Sequence, residues 1–191
     1  MKFTIAPGVF DIIPEDEREP WRSSFLWEHL EGKIRSIAQQ YSFDEIRTPI
    51  FERTELFQRS VGETTDIVSK EMYTFEDKGK RMMVLRPEGT ASTIRAFIEN
   101  GLPQKGGLHK LFYIGPMFRY ERAQAGRYRQ FHQFGVEAIG NGGPEQDVEV
   151  IDLAYSLCTQ LGIKNLKVKI NSLGTPTTRA LFREKLKDYL S

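Results

Sequence analysis

The sequence is poor in several features that would each have directed attention elsewhere. It has a single cysteine, Cys158, so no intrachain disulfide can form and no cysteine-based metal cluster can be built. It has no apolar run approaching the ~20 residues of a membrane-spanning helix. Its first residues, MKFTIAPGVFDIIPEDERE, contain no apolar signal core, and a cytoplasmic location is the expectation. Its formal net charge is only +1, which argues against wholesale coating of nucleic acid but leaves room for a local basic patch. No glycine-rich loop of the P-loop or dinucleotide-binding type occurs. The three histidines, His29, His109 and His132, lack metal-ligand spacing, so structural roles are expected for them and any metal site stays unknown. No internal repeat, low-complexity tract or linker is visible.

A chain of 191 residues fits one domain or a piece of a larger one. Its 39% hydrophobic and 28% charged content suits a globular fold with a real core. Trp21, Phe25, Leu26, Leu30, Ile34, Ile37, Ala38 and Tyr41 recur at three-to-four spacing and predict a long helix from about Pro14 to Tyr41. FDEIRTPIFE reads as a strand, with Pro49 in a position that suits an edge or bulge. RTELFQRSVG predicts a short helix closed by Gly62. MYTFED and RMMVLRP predict two strands around Asp77–Gly79. GTASTIRAFIENG predicts a helix ended by Gly101. KLFYIGPMFRYE and RQFHQFGVEAIG are two long β-rich runs, the first interrupted by Gly115-Pro116, which suggests a bulge or kink. A further helix is expected over GGPEQDVEVIDLAYSLCTQLG, with Val148, Ile151, Ala154, Tyr155, Cys158 and Leu161 facing the core. NLKVKINSLG alternates like a strand. TPTTRALFREKLKDYLS predicts a last helix with Thr175 as N-cap and Pro176 in its first turn. The order argues for an α+β fold around a largely antiparallel sheet.

Chemistry concentrates on the two long runs. Alternation puts Arg119 and Glu121 on one face of the first, and Phe131, Gln133, Gly135 and Glu137 on one face of the second. Paired, they would form a floor with a cation, carboxylates, an amide and a ring, and with open space over Gly135. Unpaired buried charge is costly, so such a floor suits a polar ligand. The same pattern also describes a solvated sheet face whose arginines and glutamates pair across strands. Between the runs lie Arg122, Gln124, Arg127 and Arg129; the three arginines offer guanidinium forks suited to phosphate, or else the segment is a basic hairpin tip. LRPEGTA sets Arg86, Glu88 and Thr90 before a helix, where they suit a ligand, or else Thr90 and Glu88 satisfy free amides as caps.

Taken together these segments resemble the histidyl-tRNA synthetases, within the class II aminoacyl-tRNA synthetases. FDEIRTPIFERTELF is similar to motif 1, the dimerisation strand with its proline, here Pro49. GPMFRYERAQAGRYRQFHQFGVE is similar to motif 2 with its loop. LRPEGTA resembles the histidine-binding segment, GVFDIIP the N-terminal signature, and VGETTDIVSKEMYTF also matches. The resemblance implies a class II synthetase-like antiparallel sheet flanked by helices. It implies ATP-dependent activation of histidine to histidyl-adenylate and its transfer to tRNA(His), with Mg²⁺ bridging the phosphates and a homodimer formed through the strand around Pro49. By the same resemblance Arg119 would be catalytic at the ATP α-phosphate, Glu121 would meet the adenine amino group, Phe131 would stack on adenine and Arg127 would reach the γ-phosphate. Glu88, Thr90, Gln133 and Glu137 would hold histidine, and Arg122 and Gln124 would face the tRNA.

Where family members usually have proline after the motif 2 Glu-Arg, this chain has Ala123. No motif 3, no segment of the RGLDYY kind with its second catalytic arginine and no anticodon-binding domain are found in the sequence. The expectation is that residues 1–191 correspond to the N-terminal part of a class II catalytic domain, incomplete at the C-terminus and inactive or weakly active alone. A non-catalytic paralogue, the regulatory subunit of ATP phosphoribosyltransferase, and a ligand-binding fragment are the alternatives.

Overall fold

The computed structural model describes residues 3–61, 71–122, 124, 126–171 and 174–190. The expectations that fall on Gly62 and on most of VGETTDIVSK lie outside the described residues. Helix α1 covers Ser24–Gln40, strand β1 Asp44–Glu45, β2 Phe51–Arg53 and helix α2 Thr54–Val61. Strands β3 (Tyr73–Glu76) and β4 (Met82–Leu85), helix α3 (Thr90–Glu99) and the long strands β5 (His109–Phe118) and β6 (Gln130–Ile139) follow. Helices α4 (Pro144–Gln160) and α5 (Pro176–Leu190) complete the order.

The strands form two three-stranded sheets, ordered β1-β5-β6 and β2-β4-β3. All pairings are antiparallel except β1 with β5. The α+β expectation therefore holds. On the core face of the larger sheet, Phe112, Ile114, Phe134, Val136 and Ala138 pack with Phe43 against α1 and α4. Ile37, Ala38 and Leu153 are almost fully buried there. No helix among the described residues is long and apolar enough to cross a membrane.

Several sequence expectations shift. The first helix starts at Ser24 rather than near Pro14, because Pro20 cannot donate into a continuing helix and opens a short 3₁₀ turn instead. The Asp16 carboxylate captures the amides of Arg18 and Glu19 at 3.0 and 2.9 Å, which further competes with helix. FDEIRTPIFE is two strands in different sheets, with Pro49 in the unpaired crossing between them. The buried stripe of α4 runs through Gln146, Leu153 and Leu157, and leaves Val148 and Tyr155 exposed and Cys158 only half-buried. NLKVKINSLG forms no strand among the described residues, since residues 166–171 find no ladder partner. Thr175 does cap α5, accepting the Thr178 amide at 3.2 Å on its hydroxyl.

Gly115-Pro116 makes no bulge, for the β5–β6 register runs unbroken through Gly115↔Gln133 and Pro116↔His132. Pro116 fits because its carbonyl points away from β6, toward Arg86 Nε at 2.9 Å. Its nitrogen shares that outward edge, where β1 no longer runs, so no ladder bond is lost. Gly115 is needed for another reason: a Cβ there would stand 2.6 Å from Arg86 Nη2.

Arg86 itself is 7% exposed and ties the two sheets together. Its Nη1 donates to the Thr48 carbonyl at 2.9 Å and to the Thr48 hydroxyl at 3.1 Å. Its amide donates to Ile50 and its carbonyl accepts the Phe118 amide, both at 2.9 Å. Replacing Arg86 with alanine should cost about 2–4 kcal/mol, because buried carbonyls lose their donor. Arg86→Lys should recover little of that, since an ammonium lacks the planar fork. Urea unfolding monitored by circular dichroism checks both; a lysine variant as stable as the parent would contradict the assignment.

Candidate functional site

The face of β5–β6 away from the core is the polar floor anticipated from alternation. On it, Phe131, Gln133, Gly135 and Glu137 are all half-buried. The pair extends past the strand ends, since the Arg119 amide donates to the Arg129 carbonyl at 2.9 Å. Arg119 thereby lands beside Phe131, its guanidinium carbon 5.1 Å from the ring centroid. Its Nε donates to the Pro87 carbonyl at 2.9 Å, which anchors the side chain to the segment before α3. The terminal nitrogens of Arg119 keep their donors unused among the described residues. At the loop, Arg127 Nη1 meets Glu121 Oε2 at 3.2 Å. Arg119, Glu121, Arg127 and Phe131 line one open cavity of about 580 Å³, joined by Gly126, Tyr128 and His132.

The second cluster lies farther along the floor, where α3 begins. Glu88 caps that helix: its carboxylate accepts the amides of Thr90 at 2.6 Å and Ala91 at 2.9 Å. The capping alternative for LRPEGTA is thus realised by Glu88, whereas Thr90 is the first residue of α3 and its hydroxyl caps no amide among the described residues. Each carboxylate oxygen retains a further lone pair, so capping leaves room for a ligand donor. The Thr90 hydroxyl reaches the Glu137 carboxylate and the Tyr113 hydroxyl. Gln133 presents a buried side-chain oxygen without a partner, a costly arrangement that a ligand donor would relieve. Burial pushes the Glu137 carboxyl above the ordinary range; the Thr90 hydrogen bond offsets part of this and the charge of Glu88 adds to it.

Tyr113 is the residue that alternation missed. The space expected over Gly135 is filled by its ring. A Cβ at Gly135 would stand 2.3 Å from Tyr113 Cζ, and one at Gly89 2.2 Å from Cε2. Tyr113 lies directly opposite Gly135 in the ladder and is 6% exposed. It locks the start of α3 onto β6, so that Thr90 and Glu137 meet across it. Burial raises its hydroxyl to about 12, which keeps it a neutral donor. An aromatic residue inside a strand reads as ordinary core; its only sequence signal is the glycine it must face.

Arg122 and Gln124 do not join the floor. Both are exposed at the hairpin tip, where Gln124 and Arg127 exchange backbone bonds of 2.9 and 3.4 Å. Pro49 lines a different groove, with Glu52 and Arg95, which form an ion pair. Among the described residues no three His, Cys, Asp or Glu side chains converge to hold a metal.

The family model described as Histidyl-tRNA synthetase matches residues 16–183. A histidine–tRNA ligase of Protochlamydia amoebophila is 66% identical over 190 residues, covering 100% of this chain and 45% of that protein. The crystal structure of the apo histidyl-tRNA synthetase of S. aureus matches with a TM-score of 0.78 and 40% identity, over 96% of this chain and 41% of that one. A structure from Bacillus halodurans, described as an ATP phosphoribosyltransferase regulatory subunit/histidyl-tRNA synthetase, matches with a TM-score of 0.69 and 24% identity, over 85% of this chain and 39% of that one; this likeness is one of fold. The chain therefore spans less than half the length of these relatives.

The glycine contacts generate a direct test. Gly135→Ala should destabilise the fold by about 1–3 kcal/mol through overpacking against Tyr113. Gly32→Ala, where nothing lies within 4 Å, should instead stabilise α1 by up to about 1 kcal/mol. Equal effects in thermal melts would rule out the packing described for Tyr113.

Proposed function

The chain belongs to the histidyl-tRNA synthetase family, and from that premise we propose that residues 1–191 form the N-terminal part of the catalytic domain of a histidine–tRNA ligase. The reaction joins histidine to ATP as histidyl-adenylate, with release of pyrophosphate, and then passes the histidyl group to tRNA(His). The observation that carries the proposal is the arrangement of two complementary clusters along one sheet face: Arg119, Glu121, Arg127 and Phe131 at the loop end, and Glu88, Thr90, Gln133 and Glu137 toward α3.

In this reading the histidine carboxylate attacks the ATP α-phosphorus. The α-phosphorus–oxygen bond to pyrophosphate breaks as the new one forms. Arg119, held by Pro87, stabilises the negative charge that grows at the α-phosphate. A fixed donor of this kind contributes roughly 3–4 kcal/mol. Phe131 stacks on adenine once the Arg119 guanidinium moves toward phosphate, and Glu121 accepts the adenine amino group. Arg127 exchanges its bond with Glu121 for the γ-phosphate. The chemistry asks for positioning rather than proton transfer by the protein. Glu88, Gln133 and Glu137 accept the N–H groups of the ammonium and imidazole, and Thr90 orients Glu137. Mg²⁺ would arrive with ATP and offset its phosphate charge, as hard cations do, since the described residues supply no three-ligand cluster for it. Arg122 and Gln124, exposed at the tip, face the tRNA. The exposed Ile50 and Phe51 beside Pro49 suit a homodimer contact. A cytoplasmic location goes with this reading.

Calorimetric titration of histidine into the chain tests the proposal: binding is expected, and absence of any heat at millimolar histidine would sink it. Glu137→Gln should weaken binding about ten- to a hundredfold, the worth of a charged hydrogen bond. Histidine-dependent ATP–pyrophosphate exchange by these 191 residues should be small, because no segment resembling RGLDYY is among them. A pH dependence follows from Glu137. With its folded value raised, its contribution to stability is fully present below the ordinary carboxylate range and is lost as pH rises through the raised value. Histidine donors favour the ionised form, so binding should release a proton in that window and weaken as pH falls through it. Titration in two buffers of different ionisation enthalpy reads that proton directly.

A further inference from the structure

The GVFDIIP segment is left without a role by the chemistry above, yet it touches the loop that carries the nucleotide contacts. The Gly8 carbonyl accepts the Arg129 amide at 2.6 Å. Gly8 has φ +82, and a Cβ on it would stand 2.8 Å from both Cγ and Cδ of Arg129. Two residues on, Phe10 inserts between Trp21, at 4.8 Å and edge-on, and Tyr128 of the hairpin, at 4.9 Å and edge-on. Trp21 and Tyr128 also meet at 5.7 Å, so the three rings close on one another.

We propose that Gly8 and Phe10 act as a clamp that positions the hairpin arm bearing Arg129, and through it Arg119. The connection is a chain of backbone bonds. Arg129 donates its amide to Gly8 and accepts the Arg119 amide on its carbonyl, at 2.6 and 2.9 Å. Arg119 is one rung from the clamp. The opposite arm is gripped separately, with the Tyr120 amide bonded to the Glu71 carbonyl at 2.7 Å and the Tyr73 ring against Tyr120 at 5.4 Å. Without the clamp the Arg129 arm would rely on its side-chain contacts to the opposite arm, Nε to the Glu121 carbonyl at 3.4 Å and the guanidinium 4.3 Å from the Tyr120 ring centroid, and the Arg119–Arg129 rung would loosen. Gly8 and Phe10 are positioning residues: they lie outside the cavity and act through Arg129. Glu137, Gln133 and Thr90 stand at the far end of the floor, so the clamp should bear on the nucleotide cluster and not on the other one. The nucleotide part of this inference rests on the function proposed above; the mechanical part does not.

The test compares the parent chain with Phe10→Ala and Gly8→Ala. Amide hydrogen exchange, measured residue by residue without ligand, should accelerate about tenfold at Arg129 and Arg119, the scale of one aromatic contact and its linked hydrogen bond. The ladder amides of Leu111 and Tyr113 should be unmoved. Titrations should show ATP binding weakened about tenfold in both variants, with histidine binding unchanged. Unchanged exchange at Arg129 and Arg119 in folded variants would overturn the clamp. So would an equal loss of ATP and histidine binding, which marks a general structural defect. A parent chain that binds neither ligand would overturn the proposed function, and the exchange data would still decide the clamp.

Discussion

A buried guanidinium keeps two small sheets in one frame. Arg86 reaches the carbonyls of Thr48 and Pro116 from the end of β4, while its own backbone bonds to Ile50 and Phe118. Burial lowers its affinity for the proton, yet arginine stays charged at any ordinary pH. The arrangement spends a fork of donors on backbone acceptors that neither sheet can satisfy alone. Immediately after it come Pro87, whose carbonyl holds Arg119, and Glu88, which starts α3. The frame and the site are therefore one construction: the residue that joins the sheets also sets the origin from which both clusters are placed.

The floor is polar and half-buried, and it stays folded because its charges are occupied without a ligand. Arg127 rests on Glu121, Arg119 on Phe131 and Pro87, and Glu88 on the α3 amides. These are modest contacts in partly exposed places, worth little individually. A polyanionic ligand offering charge-assisted bonds to Arg119 and Arg127 can displace theirs. Glu137 and Gln133 are different. One carries a carboxyl pushed toward its neutral form by burial and the other an unpartnered oxygen, so that end of the floor retains unsatisfied polarity.

Local patterning disclosed much of this. Strand alternation separated the core face of β6 from its polar face, and the turn at Asp77–Gly79 and the caps of α3 and α5 followed from residue chemistry alone. Patterning failed where a partner decides the outcome. Leu166, Val168 and Ile170 alternate like a strand, but alternation supplies only a face; a ladder needs a neighbour. The α4 stripe was displaced because several hydrophobic positions fit a helical period, and only the packing of α1 selects Leu153 and Leu157 over Val148 and Tyr155. Pro49 and Pro116 showed that something interrupts the sheets, without showing that one marks a crossing and the other merely faces an open edge. Tyr113 escaped notice, and Arg86 was noticed only for its place before a helix, because the roles of both are set by residues distant in the chain. The family resemblance assigned roles that alternation left open between ligand floor and solvated face.

The packing of Tyr113 between Gly89 and Gly135 also bears on how such a sequence can diverge. Three positions from separate strands and a helix start share one volume, and no single-step exchange at either glycine fits while the ring remains. A smaller residue at 113 would have to come first, at the cost of a hole beneath Thr90 and Glu137. The three sites should therefore be inherited as a block, drifting together or not at all, whereas Val148 and Tyr155 on the outer side of α4 are free to wander.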